Sequence, residues 1–256
     1  MICNMITFLI KCLKYILYEH ILCYNFMEPI RKSYWRLDRS YNYWWEIKNM
    51  NKYLHTNGYN ELQIFHDLTK KNKIIYWLTG GTLLGFYRDK KFISHDLDID
   101  VAVHSHDTAK LLRILAESNF KITHGFVNNK EELTEISLLS KNVKIDVYFS
   151  NHDDNHNCMT DYYKKSSDDV LYHGVVTYSP KIEEVIDEKF NGIEVSIPSN
   201  TVDCLISIYG PDFMTPNKNW SFVKDLYSAK YFSLSEYYGK RIEADEIMTN
   251  FSNISS

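Results

Sequence analysis

Three aspartates at alternate positions, Asp96, Asp98 and Asp100, lie near the end of a window that opens on a glycine pair: GGTLLGFYRDKKFISHDLDIDVAV, residues 80–103. Alternate residues of a strand point to the same side. A strand here puts all three carboxylates on one face, with neighbours about 6.6 Å apart. At that spacing two charges repel by roughly 2.5 kcal/mol at an effective dielectric near 20, and by about 0.6 kcal/mol in bulk water. The first figure exceeds the whole strand-propensity scale of about 1 kcal/mol, so in a cleft the row needs a cation. Clustered oxygen ligands suit Mg²⁺ or Mn²⁺, and those ions suit phosphates. A half-exposed edge strand also alternates polar with apolar residues. Asp is depleted in strands, however, and the glycine turn just upstream is a place where a phosphate can rest.

The surrounding segments place this window in a sheet. Residues 74–78 (IIYWL) read as a short buried strand, Thr79 to Thr82 as a turn, Leu83 to Tyr87 as the start of a helix, and 97–103 as a second strand. Leu62, Phe65 and Leu68 fall at helical spacing over 59–72, with His66 beside them as a structural residue. Leu111, Leu112, Leu115 and Ala116 predict an amphipathic helix over 106–118, with Thr108 near its cap. Short strands are expected near 120–126, 133–139 and 143–149. The polar stretch 151–169 reads as a long surface loop. A helix at 181–188, a strand at 192–197 and a helix at 201–209 follow. This order predicts an α/β (α+β) fold, a sheet with helices on it. The expected division is an N-terminal helical and aromatic extension over 1–58 (Trp35, Trp44, Trp45), a catalytic domain over 59–220, and a C-terminal helical segment with a frayed tail over 221–256.

A net charge of −4 over 256 residues provides no global basic field, so no nucleic-acid partner is expected. The five cysteines (Cys3, Cys12, Cys23, Cys158, Cys204) are odd in number and widely spaced, which fits a reducing compartment and a cytoplasmic placement. His152, Asp153, Asp154, His156 and Cys158 sit among polar residues and read as a solvated loop rather than a zinc site. Near the N-terminus, Ile10, Leu13, Ile16, Leu17 and Ile21 outline an amphipathic helix, either packed or lying on a membrane surface. Lys11 and Lys14 interrupt the apolar run before the span of about 20 residues that a membrane crossing needs. Met27 is an alternative start.

Four elements of the window and its surroundings carry chemistry. Gly80 and Gly81 let backbone N–H groups approach a phosphate at a helix start, or simply make a tight turn. Thr82 can cap that helix or bond a phosphate oxygen. Arg88 can clamp a phosphate bidentately, or pair with Asp89 or Asp96. Asp146, in the strand KIDVYF, is either a third carboxylate beside Asp98 and Asp100, completing a metal-plus-base site, or an ordinary solvent-facing residue.

Taken in order, these residues resemble the LicD/fukutin-related phosphotransferases of the nucleotidyltransferase superfamily. The carrying motifs are Gly80-Gly81-Thr82-Leu83-Leu84-Gly85, then Arg88, then Ile93-Ser94-His95-Asp96-Leu97-Asp98-Ile99-Asp100. A later block follows: Phe190, Gly192, Val195, Ile197, Pro198 and Asn200, then Leu205, Tyr209, Gly210 and Pro216. The resemblance covers roughly 60–220 and departs at Ser94-His95, where the family has Pro-Trp. It implies a nucleotidyltransferase-like mixed β-sheet flanked by helices. It further implies transfer of an alcohol phosphate, phosphocholine- or ribitol-phosphate-like, from a CDP-activated donor to a hydroxyl of a glycan or related acceptor. Mg²⁺ or Mn²⁺ is expected on Asp98 and Asp100 with Asp96 or Asp146, and Asp146 is the candidate base. Two rivals stand beside this reading: transfer of a nucleoside monophosphate by the same site, and a catalytically inactive scaffold of the same fold.

Overall fold

The computed structural model describes residues 28–166, 169–217 and 219–252. The expected amphipathic helix within 1–26 lies outside them. Two compact units separate at Lys48/Asn49. The first, where described, is the helical backbone of α1 (Glu28–Lys71) up to Lys48. Everything below concerns the second unit, residues 49–256.

From Asn49 on, α1 buries Leu54, Leu62 and Phe65, the apolar stripe expected over 59–72 in a longer helix. His66 is buried too, its Nδ1 3.1 Å from the Tyr76 hydroxyl, which also accepts from the Ser196 N–H at 3.3 Å. One phenol thus ties the helix to two strands.

β1 (Tyr76–Leu78) leads into a one-turn α2 (Gly80–Leu84) and a π-turn over Gly85–Asp89. Gly85 is required where the chain folds back: a Cβ there would lie 2.6 Å from the Lys91 carbonyl oxygen. β2 (Asp98–His104), a 3₁₀ turn (Ser105–Asp107) and α3 (Thr108–Ala116) follow. Next come β3 (Lys121–Asn128), β4 (Leu133–Ser140), β5 (Val143–His152), β6 (His156–Tyr163) and β7 (Tyr172–Pro180). A separate hairpin, β8 (Val185–Phe190) with β9 (Ile193–Pro198), precedes α4 (Thr201–Tyr209). The chain ends in β10 (Ala229–Tyr231), β11 (Tyr238–Glu243) and α5 (Ala244–Phe251).

The mixed helix-and-strand character expected from the sequence is present, but the sheet is barrel-like rather than open. Pairing runs β5–β4–β3–β11–β7, and β6 joins β7 back to β5, closing a ring of six strands. β2 lies parallel to β5 over Asp98–His104, along the same edge whose last two residues pair with β6. β1 flanks β2 antiparallel. Closure leaves the ring without a free edge.

Three local expectations are corrected. The stretch 151–169, read as a loop, holds the end of β5 and all of β6. Its buried polar residue finds partners within the protein: Asn157 donates to Ser150 Oγ (3.1 Å) on β5 and accepts from the Ile182 N–H (2.8 Å) beyond β7. Asp153 turns the chain by accepting from the N–H groups of Asn155 and His156, so His152, Asp153, Asp154 and His156 flank an exposed hairpin turn. The helix expected at 181–188 is instead the approach to β8, whose backbone pairs with β9. Residues 221–256, read as helical, supply two strands as well as α5, and β11 is a member of the ring.

Candidate active site

The register of β2 on β5 explains the alternation at the aspartates. Ile99, Val101 and Val103 stand beside Ile145, Val147 and Phe149, all buried in the core. The opposite face pairs Asp98 with Lys144, Asp100 with Asp146, and Ala102 with Tyr148. Across β4 the same face continues with Ser137 beside Asp146 and Glu135 beside Tyr148. A one-residue slip would turn the apolar set outward, so burial keeps Asp98, Asp100 and Asp146 on one face, and the observed register sets Asp100 beside Asp146.

Asp146 is buried, not solvent-facing. Ser137 Oγ donates to its Oδ1 at 2.6 Å, and Lys144 Nζ donates to its Oδ2 at 2.5 Å and to Asp98 Oδ2 at 3.2 Å. Burial works against the Lys144 charge, but Asp146 and Asp98 together outweigh it and hold the ammonium above the ordinary lysine range. Burial pushes the Asp100 carboxyl well above the usual range, and the charges of Asp98 and Asp146 add to it. Asp98 is also raised, by burial first, against the pull of Lys144. Asp96, in the loop before β2, is pushed up to about 7 by burial and then by the Asp98 charge.

The glycine turn wraps these carboxylates. Gly80 has φ +51°, and a Cβ on it would fall 2.7 Å from Asp100 Oδ2; on Gly81 it would fall 2.8 Å from Asp96 Oδ2. The Gly81 N–H donates to Asp100 Oδ2 at 2.9 Å. Thr82 is fully buried and its hydroxyl accepts from the Asp100 N–H at 2.8 Å. It therefore fixes β2 against α2 rather than lining the cavity. Arg88 forms a two-bond fork with Asp89, at 2.8 and 2.9 Å, on the cavity rim. Asn51 of α1 pins the Ser94–Asp96 loop, donating to the carbonyls of Ser94 (3.1 Å) and Asp96 (2.7 Å).

All of this opens on a cavity of about 1260 Å³ between ring strands, the Gly80–Asp100 segment and residues 208–226. The later sequence block walls it: Gly210, at φ +83°, ends α4 so that Tyr209 lines the cavity along with Phe213 and Trp220. Deeper lie Glu135 and Asp161. Glu135 is held well above the usual range by burial. Asp161 is raised to about 6 by burial. Sequence reasoning missed Asn51, Lys144, Glu135, Tyr148 and Asp161. The period-2 rule applied to KIDVYF from Asp146 finds Lys144 and Tyr148; Asp161 was hidden in the supposed loop.

The donor set around β2 and β5 is all hard oxygen, the chemistry a divalent cation such as Mg²⁺ or Mn²⁺ uses. Among the described residues no three carboxylate, histidine or cysteine groups are disposed as a ligand cage, and a lysine ammonium already bridges two of the carboxylates. The residues match a cation in type and charge but, among the described residues, not in the geometry of a ligand cage.

A fold with paired carboxylates over a glycine turn defines a class, and comparison gives it a family: the chain belongs to the LicD/FKTN/FKRP family, whose nucleotidyltransferase-domain model matches residues 73–200. Mouse ribitol-5-phosphate transferase FKTN is 27% identical over 170 residues, 63% of this chain and 34% of that protein. The lipopolysaccharide cholinephosphotransferase LicD of Haemophilus influenzae is 41% identical over 69 residues, 27% of this chain and 24% of that protein. The chain thus spans about a third of the length of the FKTN proteins it matches. A solved lincosamide antibiotic adenylyltransferase, LnuA, shares 19% identity at a TM-score of 0.33, over 54% of this chain and 78% of that one.

Proposed function

We propose that the chain transfers an alcohol phosphate, ribitol-phosphate- or phosphocholine-like, from a CDP-activated donor to a hydroxyl of a glycan or related sugar acceptor, on a nucleotidyltransferase-type core. The observation that carries this reading is the facing set Asp98, Asp100 and Asp146 on two parallel strands, at a cavity larger than the roughly 300–1000 Å³ of an ordinary small-ligand pocket. Such a space accommodates a nucleotide donor and an acceptor sugar together. The activities of FKTN, a ribitol-5-phosphate transferase, and LicD, a cholinephosphotransferase, agree with alcohol-phosphate transfer.

In the proposed step the acceptor oxygen bonds to the phosphorus that carries the alcohol, and the phosphorus–oxygen bond to CMP breaks. The acceptor's proton goes to Asp146 at Oδ2, from which Lys144 must first withdraw. Mg²⁺ or Mn²⁺ held by Asp98 and Asp100, with Asp96 or Asp146, would neutralise charge on the phosphorus oxygens and the leaving group. Gly80 and Gly81 hold the aspartates close by having no side chain to intervene. Lys144 is placed to turn from the carboxylates toward incoming phosphate.

Wild type and Asp98→Ala, incubated with a panel of CDP- and UDP-activated donors, an acceptor glycan and Mg²⁺ or Mn²⁺, test the proposal by mass spectrometry of the released nucleotide. Metal-dependent CMP release by wild type alone supports it and names the donor. Pyrophosphate release from a nucleoside triphosphate overturns it in favour of nucleotidyl transfer. Absence of metal-dependent donor binding in both proteins overturns it in favour of an inactive scaffold.

A further inference from the structure

Behind Asp146 the sheet carries a row of polar residues that runs away from the cavity. Asp100 on β2 stands beside Asp146 on β5, Asp146 beside Ser137 on β4, and Ser137 beside His124 on β3. The row is irregular at its far end. Ile122 pairs with Leu138 and His124 with Ser137, which leaves Thr123 as the extra residue of a β-bulge. Bulges re-aim side chains beside functional sites. This one brings the Thr123 hydroxyl to 3.0 Å from His124 Nδ1 and to 3.0 Å from the Ser137 carbonyl oxygen.

Hydrogen counting gives the row a direction. Ser137 has one hydroxyl hydrogen and donates it to Asp146 Oδ1 at 2.6 Å, the short range of bonds to carboxylates. Toward His124 Nε2, 3.5 Å away, Ser137 Oγ then only accepts. Burial first, and then the Arg241 and Lys144 charges, lower the His124 pKa to about 4, so at neutral pH the ring carries a single N–H. Placing that hydrogen on Nε2 makes His124 the donor to Ser137. Nδ1 is then bare and accepts from Thr123, whose hydrogen is shared with the Ser137 carbonyl. The opposite tautomer would set a bare Nε2 against a serine oxygen with no hydrogen to spare. Donors in series thus end on one carboxylate oxygen, and each bond in such a chain strengthens the next. Ser137 is 1% exposed, so water does not compete for its hydroxyl. Neither Ser137 nor His124 lines the cavity, so both act through Asp146.

We propose that His124 and Ser137 are positioning residues for Asp146: the Thr123–His124–Ser137 chain holds Oδ1 and leaves Oδ2 as the atom offered to the acceptor hydroxyl. The proposal rests on the transferase reading for the role of Asp146 as base.

Steady-state CMP release and histidine ¹⁵N NMR of the full chain test it. The donors are CDP-ribitol and CDP-choline, with Mn²⁺ and an acceptor glycan. Ser137→Ala, Ser137→Thr, His124→Leu and His124→Gln stand beside wild type, each fold checked by thermal melting. The wild-type spectrum is expected to show the His124 proton on Nε2, with a resonance that shifts in Ser137→Ala. Ser137→Ala is expected to lower kcat about tenfold, the worth of one hydrogen bond to a charged group, with the donor KM within about twofold of wild type. Ser137→Thr keeps the hydroxyl and is expected to recover most of that loss. His124→Leu is expected to lower kcat about three- to tenfold, and His124→Gln, which keeps a side-chain N–H, to recover it. Residues that only filled the sheet would change the melting temperature and leave kcat of the folded enzyme alone. With wild type turning over, a His124 proton on Nδ1, or kcat unmoved in both folded Ser137→Ala and His124→Leu, overturns the proposal and leaves the transferase standing. Absence of CMP release by wild type with both donors counts against the transferase instead. The spectrum then decides the chain: an Nε2–H that shifts in Ser137→Ala supports it, and one that does not overturns it.

Discussion

Lys144→Met tests whether the ammonium between Asp98 and Asp146 holds the place of a metal ion. Its contacts are 2.5 Å to Asp146 Oδ2 and 3.2 Å to Asp98 Oδ2. At an effective dielectric of about 20 these distances correspond to attractions of about 6.6 and 5.2 kcal/mol before any desolvation. Most of that is offset by the cost of taking the charges out of water. Removing one partner of a buried pair costs about 3–5 kcal/mol in practice. The Lys144 side chain is 28% exposed, which places the expected loss near the lower end, about 3 kcal/mol without metal. If the metal and the ammonium compete for the same oxygens, the variant gains more from metal than wild type does. At a free Mn²⁺ concentration about a hundredfold above its dissociation constant, linkage supplies about 2.7 kcal/mol and nearly restores the variant. Urea unfolding of both proteins, with EDTA and with a Mn²⁺ series, reads this directly. Equal stabilisation of the two proteins by Mn²⁺, or a metal-free loss below about 1 kcal/mol, would refute the reasoning, because Lys144 would then not be sharing the carboxylates with the cation.

Three further outcomes are expected. Gly80→Ala meets both a positive φ of +51° and a contact of 2.7 Å with Asp100 Oδ2; it should lose about 2–4 kcal/mol in urea unfolding, of which a left-handed Ala accounts for about 1–2. Asn51→Ala should leave the midpoint of unfolding within about 1.5 kcal/mol of wild type while increasing amide exchange at Ser94–Asp96, whose carbonyls it holds. Asp161 has its folded pKa raised by burial to about 6, against 3.8 ordinarily. The folded state therefore binds the extra proton, so this stability is fully present below about pH 3.8 and is lost as pH rises through 6. Asp161→Asn should flatten the unfolding free energy over that window by up to about 3 kcal/mol; an unchanged slope would mean that Asp161 is not buried in the barrel.

Much of the site was legible because strand periodicity and core burial are the same constraint seen from two sides. Ile99, Val101 and Val103 must face inward together, so Asp98 and Asp100 must face the other way together, and VKIDVYF repeats the argument for Asp146. What the sequence could not show is which strands become neighbours. The parallel pairing that sets Asp100 against Asp146 spans two intervening strands and a helix, and no local signal encodes it. Barrel closure was invisible for a related reason. β6 looks like a loop because its polar residues are satisfied by partners far along the chain, Asn157 by Ser150 and Ile182, whereas a composition rule assumes water.

The ring, with β2 alongside β5, explains how one cavity can hold so many acids. Asp98, Asp100, Asp146, Glu135 and Asp161 all line the cavity, with Lys144 among them. On an open sheet, water would screen them and nothing would separate their roles. Inside the ring, burial sorts them by what lies nearby. Asp146 accepts hydrogen bonds from Lys144 and Ser137. Glu135 and Asp161 are set farther from the lysine and are driven toward their neutral forms. A cation taking the place of Lys144 between Asp98 and Asp146 would reduce the cost of holding these carboxylates together, and the Mn²⁺ titration of Lys144→Met reads that change directly.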